Sequence, residues 1–237
     1  MTAHPPGERR RRLLDEALGT IAEDLFAHDV RLARLAVAVQ FDGGVAHLTG
    51  DLEKPDQLRL VRDLLGRLDG VYAVWDQVRV AGREPTIVDL GCGNRPQYPR
   101  NIGVDRHRTA AVRLLADLTS RVPFATDSVD RVFAVHVLEH MVDFLPLVGE
   151  CHRILRPGGI LHVMSPWWRH VNAVADPTHL RLLDTQTIKG ICHQPAGAPR
   201  WYPLHAACDG ATVFADLTPL GPDDPGPDHA HTARFFD

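Results

Sequence analysis

Apolar residues recur at helical spacing between Arg12 and Ala27, at Leu13, Leu14, Ala17, Leu18, Ile21, Leu25 and Phe26, and predict an amphipathic helix. Leu35–Phe41 and Val45–Gly50 are short apolar runs on either side of Asp42-Gly43-Gly44, the pattern of a β-hairpin. Pro55 to Leu68 returns to helical spacing through Leu58, Leu60, Val61, Leu64, Leu65 and Leu68, with Gly70 as its expected end. Val71–Val80 predicts a third strand before the break Ala81-Gly82-Arg83-Glu84-Pro85. Residues 12–81 therefore predict a small α+β domain, preceded by a flexible tail over 1–11.

The pattern then changes. Thr86–Leu90, Ile102–Asp105, Arg131–Val135 and Gly159–Met164 are nearly continuous apolar runs, as expected of strands buried on both faces. The segments between them have room for helices, most visibly His140–Leu155, so residues 85–220 predict an α/β domain with a doubly wound, mostly parallel sheet. A closing strand pair is expected near Ala211–Leu220 and Thr232–Phe236. Gly221–Pro227 is composed as a loop, which makes 221–237 a loop with a possible final strand.

Composition narrows the function classes. The chain has 237 residues, 44% of them hydrophobic, enough to fill a packed core. A net charge of −4 gives no global attraction to nucleic acid. Of 26 basic residues only Lys54 and Lys189 are lysine, a bias that points to codon usage rather than to phosphate recognition. Cys92, Cys151, Cys192 and Cys208 have neither zinc-ligand nor disulfide spacing, and reduced thiols fit a cytoplasmic location. Asp15, Glu16, Glu23 and Asp24 interrupt what could resemble a signal segment. No run approaches the roughly 20 apolar residues of a membrane span.

The chemistry concentrates after the first α/β strand. Val88-Asp89-Leu90-Gly91-Cys92-Gly93 places two glycines where a strand ends, so a ligand can approach the backbone closely. No third glycine follows, because Asn94-Arg95-Pro96 stands in its place; this argues against a nicotinamide dehydrogenase. Asp105, at the next strand end, can accept two hydrogen bonds from a ribose diol. Further on come Ala116-Asp117-Leu118, Val122-Pro123-Phe124, Ser128-Val129-Asp130, Leu138-Glu139-His140 and Leu155-Arg156-Pro157-Gly158-Gly159.

In that order these segments resemble the class I S-adenosylmethionine-dependent methyltransferases of the ubiquinone-biosynthesis-like group, with a Rossmann-like fold. The resemblance implies S-adenosylmethionine as cofactor. Asp89, Gly91, Cys92 and Gly93 would shape its methionine end, Asp105 would hold the ribose, Asp117 and Leu118 would flank the adenine, and His136 would lie near the methyl group. His140 and His179 are the candidate bases. Trp167, His170, Asp176 and Arg181, in the Ser165–His170 and Ala175–Arg181 segments, are candidate acceptor-site residues, since methyltransferases of this group carry a similar Asp-Pro-Thr-His-x-Arg loop. His136-x-x-Glu139-His140 also invites a metal reading, but no further ligand is obvious in the sequence and no metal is expected. His193, His205, His229 and His231 read as surface residues.

The front domain resembles a BON domain through Phe41–Gly50 and Leu68–Val74. That likeness implies a non-catalytic module with lipid or protein contacts. The expected activity is methyl transfer to an unidentified acceptor, with a small molecule favoured by the absence of a large insert after residue 185. The alternative is a non-catalytic cofactor-binding or regulatory protein on the same fold.

Overall fold

A computed structural model describes residues 6–195 and 197–237. The chain forms two compact units that divide between Pro85 and Thr86. The first consists of helix α1 (Pro6–His28), strands β1 (Ala36–Asp42) and β2 (Val45–Leu52), helix α2 (Pro55–Leu65), and strands β3 (Ala73–Asp76) and β4 (Arg79–Val80). β1 and β2 pair antiparallel, while β3 and β4 both lie parallel to β2. Leu18 and Ala22 of α1 and Leu58, Val61 and Leu65 of α2 are buried in one cluster with Ala46 and Leu48 of β2. Arg62 of α2 is buried too, and its guanidinium reaches Asp76 Oδ2 at 2.5 Å and the Val74 carbonyl at 2.6 Å, fastening the helix to β3.

Three local expectations change in this unit. Residues 1–5 of the expected tail lie outside the described residues, but from Pro6 the same stretch is helix. Proline costs nothing in a first helical turn, and the Arg9–Arg12 run is made of good helix formers. α2 stops at Leu65 with Gly66 as its C-cap, so Gly70 ends a following turn (φ +93°) rather than the helix. The strand expected over 71–80 is two short pieces, both on the same edge of β2.

The second unit is a seven-stranded sheet ordered β10-β11-β9-β8-β5-β6-β7. Its strands are β5 (Ile87–Leu90), β6 (Ile102–Asp105), β7 (Val112–Leu115), β8 (Val129–Val135), β9 (Leu155–Pro166), β10 (Arg200–Cys208) and β11 (Thr212–Leu220). β7, β6, β5, β8 and β9 run parallel, and the β10–β11 hairpin adds antiparallel to β9. The chain leaves β5 toward β6 on one side and later returns to β8 on the other. That reversal is the switch point at which open α/β sheets bind ligands, beyond the carboxyl ends of the strands.

The sheet winds outward in both directions from β5, as expected, but helices expected in its crossovers are missing. Residues 91–101, 106–111 and 116–128 hold no helix. Pro96 and Pro99 oppose one in the first of these crossovers. β5, β6 and β7 are only four residues long, roughly 13 Å at about 3.3 Å per residue, so a few extended residues suffice to return. The helices packed in the main core are α3 (Leu145–Ile154), α5 (Thr185–Cys192) and α6 (His229–Phe236), and they pack on the same face of the sheet, against Val88, Leu90, Val132, Ala134, Leu161, Val163, Ala215 and Leu217. The helix expected over 140–155 is a 3-10 turn, Leu138–His140, followed by α3. The final strand expected at Thr232–Phe236 is instead helix α6: the Asp228 carboxylate accepts from the His231 N–H and caps it. β7 and β10 had no counterpart in the sequence pattern.

On the opposite face, strand register aligns Asp89, Phe133, His162 and Asp216 across four neighbouring strands. Phe133 stacks on His162 with ring centroids 4.6 Å apart, and His162 Nδ1 lies 2.6 Å from Asp216 Oδ1, both residues fully buried. His205 is buried as well, contrary to its expected surface position, because its strand pairs it with Asp216. Among the described residues no helix is long and apolar enough to cross a membrane.

Candidate functional site

The turn after β5 is built on backbone that only glycine adopts without strain. Gly91 has φ +61° and Gly93 φ +54°. A Cβ on Gly91 would sit 2.8 Å from Val137 Cγ2, so this glycine lets the turn pack against the end of β8. A Cβ on Gly93 would meet nothing within 4 Å, which leaves open space above the turn. The Gly93 N–H donates to Asp105 Oδ2 at 3.0 Å, and the His107 N–H donates to Asp105 Oδ1 at 2.9 Å. One carboxylate thus ties the glycine turn to the end of β6. Each of its oxygens still has a lone pair for a further donor.

Asp89 lies beneath this turn, buried, with its Oδ2 accepting from the Gln97 N–H and from Asn101 Nδ2. Its side chain braces the helix-free crossover 91–101, so it shapes the site without reaching its surface. Cys92 is likewise turned inward, toward Gly103, where a Cβ would stand 2.7 Å from its Sγ. Only the backbone of Cys92 can face a ligand, and burial pushes its thiol up to about 11. Asp117 is exposed just past β7, where Oδ1 accepts from the N–H and hydroxyl of Thr119; those bonds hold its carboxyl below the usual range. Leu118 beside it is half-buried against the core.

Burial raises the Asp89 carboxyl from 3.8 to about 6, against the opposing bonds from Gln97 and Asn101. A carboxyl raised in the folded state takes up a proton on folding between these two values. Stability therefore falls as pH rises from about 4 to about 6, by an amount of order 3 kcal/mol if Asp89 acts alone. Asp89→Asn should flatten that part of the urea-denaturation profile. An identical pH slope in the variant would refute the assignment.

The candidates from the Leu138–His140 and Asp176–Arg181 segments come together from distant parts of the chain. His136, at the end of β8, has φ +55°, a strained conformation for a residue with a side chain, and its Nδ1 lies 3.0 Å from Glu139 Oε1. The Glu139 carbonyl accepts from the N–H groups of Leu180 and Arg181 at 2.7 and 3.0 Å, which clamps the Asp176–Arg181 loop onto Leu138–His140. His140 and His179 come together with ring centroids 4.7 Å apart. The remaining candidates do local work. His170 caps helix α4 (Val171–Ala175), Asp176 Oδ1 accepts from Thr178, and Arg181 donates to the Val142 carbonyl. Trp167 packs half-buried against the core while Trp168 is exposed, and Arg169 lies over both rings. Glu139 and Thr178 join the site only in three dimensions. Their signal in the sequence was membership of the Leu138-Glu139-His140 and Asp176-Pro177-Thr178-His179 segments.

Residues 88–163 match the family model of a methyltransferase domain. They comprise about a third of the chain and include the glycine turn, Asp105, Asp117 and the Leu138–His140 element. Among curated proteins, the chain is 33% identical over 104 residues to a Mycolicibacterium smegmatis protein named "Probable S-adenosylmethionine-dependent methyltransferase", over 37% of this chain and 40% of that one. It is also 33% identical over 130 residues to the trans-aconitate 2-methyltransferase of Azoarcus sp., over 47% of this chain and 46% of that one. The chain thus spans less than half the length of these relatives. Among solved structures, geranyl diphosphate C-methyltransferase from Streptomyces coelicolor, in complex with Mg2+, geranyl diphosphate and S-adenosyl-L-homocysteine, aligns over 57% of this chain and 74% of its own at 15% identity, with a TM-score of 0.45.

Proposed function

We propose that this protein transfers a methyl group from S-adenosylmethionine to a small-molecule acceptor. The observation that carries the reading is the left-handed Gly91–Gly93 turn at the sheet's switch point, joined through the Gly93 N–H to Asp105. The turn's open backbone suits the methionine end of the cofactor, Asp105 its ribose hydroxyls, and Asp117 with Leu118 its adenine. The cofactor supplies an already activated methyl on a sulfonium, so the protein's work is chiefly alignment and exclusion of water. His136 follows β8, the strand beside β5, and would lie near the methyl group. Of the two candidate bases, His140 and His179, one is required only where the acceptor must lose a proton.

Calorimetry with S-adenosylhomocysteine tests the cofactor half, and transfer of labelled methyl into small-molecule extracts tests the activity. Absence of calorimetric binding would defeat the proposal. A non-catalytic cofactor-binding protein is the second reading, and the helix-free crossovers beside the site favour it, since fewer groups enclose a ligand there. Binding without any labelled product would select it. For the front unit, the helix–strand–strand–helix–strand order supports a BON-like module with a lipid or protein contact, and four free cysteines support a cytoplasmic setting.

A further inference from the structure

We propose that Glu139, His140 and His179 form a binding site for a divalent transition-metal cation of the zinc class. The sequence set His136-x-x-Glu139-His140 had no further ligand; the folded chain brings His179, 39 residues beyond His140, to Glu139 and His140. One ligand atom from each of the three side chains lies within 4.8 Å of the others.

The hydrogen bonds around the two imidazoles determine which nitrogen each would offer. His179 Nδ1 lies 3.1 Å from the Ala173 carbonyl, which can only accept, so Nδ1 carries the proton and Nε2 holds the lone pair. His140 Nδ1 lies 3.2 Å from the Thr178 carbonyl and 3.0 Å from Thr178 Oγ1. That hydroxyl already donates to Asp176 Oδ1 at 2.6 Å, so toward His140 it too accepts. Both rings are therefore set in the same tautomer, each held by a backbone carbonyl, which is the arrangement that orients metal-bound histidines.

The carboxylate gives an independent indication. Glu139 is buried, its Oε1 faces His136 Nδ1, and its Oε2 has no hydrogen-bond partner. A buried carboxylate oxygen with an unused lone pair is costly, and a cation offsets that cost. Asp176 Oδ2, 3.8 Å from His179 Nε2, adds a second carboxylate on the solvent side. Two imidazoles and one carboxylate suit zinc and similar ions, whereas magnesium and calcium prefer oxygen alone. Tetrahedral zinc with bonds near 2.0–2.1 Å needs its donors about 3.3 Å apart, so binding would draw the exposed His140 ring inward. Three protein ligands leave a fourth position for a hydroxyl or thiol of a small molecule.

The test is a calorimetric titration of the metal-free full-length protein with zinc chloride, beside the His140→Ala, His179→Ala and Glu139→Gln variants. One saturable site is expected, with affinity at least tenfold weaker in each variant. His140 is exposed, so its variant carries the test should either of the others fail to fold. Cobalt(II) titration supplies a second readout: visible bands without a sulfur charge-transfer band place the ion on nitrogen and oxygen. No saturable site, unchanged affinity in His140→Ala, or a sulfur band from Cys192 or Cys208 would overturn the proposal and leave the two histidines as bases. S-adenosylhomocysteine binding measured on the same variants keeps the outcome separate from that of the cofactor reading.

Discussion

Asp105→Ala is expected to weaken S-adenosylhomocysteine binding by about a hundredfold. In the proposed complex the Asp105 carboxylate accepts two ribose hydroxyl hydrogens, and hydrogen bonds to a charged group contribute about 1.5–3 kcal/mol each. Losing the pair costs about 3 kcal/mol or more, which corresponds to roughly two powers of ten in affinity. The alanine also removes the acceptors of the Gly93 and His107 N–H groups, so the glycine turn loses its tie to β6. Asp105→Asn separates these effects. Its amide oxygen can keep one backbone bond but has no charge and half the acceptor capacity. An intermediate loss is expected for it, read by calorimetry on protein whose thermal unfolding is unchanged. Wild-type affinity in the alanine variant would remove Asp105 from the cofactor site.

The second large effect concerns the fold. Asp216→Ala is expected to destabilise the protein by about 3–5 kcal/mol, the usual cost of deleting one member of a buried pair. His162 and Asp216 are both essentially inaccessible to solvent and lie 2.6 Å apart on adjacent strands β9 and β11. The alanine removes the acceptor at His162 Nδ1 and leaves a space the size of a carboxylate. In a unit of this size the lowered stability corresponds to a fall in Tm of the order of 10 °C. Asp216→Asn keeps an acceptor and should lose far less. If urea denaturation gave less than about 1 kcal/mol for the alanine, the pair would not be a principal strut of the sheet.

Much of the strand framework could be read from local pattern. β6 was expected at Ile102–Asp105, where it is found, because a short apolar run ending in an acidic residue admits few other structures. β7 could not be read. Its burial alternates only between half-buried and exposed, and it is held mainly by pairing with β6. Thr232–Phe236 misled in the other direction: two adjacent aromatics suggest a strand, yet the Asp228 cap and packing of Phe236 into the core decide for helix. His205 and the row Asp89–Phe133–His162–Asp216 were illegible because strand register, a long-range property, sets what lies beside what.

By itself the sequence determined the order of elements in the front unit, the strands at the centre of the sheet, and the glycine turn with Asp105 and Asp117. All of these depend on periodicity, turn chemistry or adjacent residues. The tertiary structure alone decided which face of the sheet carries helices, that Asp89 and Cys92 turn inward, and that His179 meets Glu139 and His140. The reason lies in range. The Leu180 and Arg181 N–H groups bond to the Glu139 carbonyl across about 40 residues, and no local pattern in the chain records that contact.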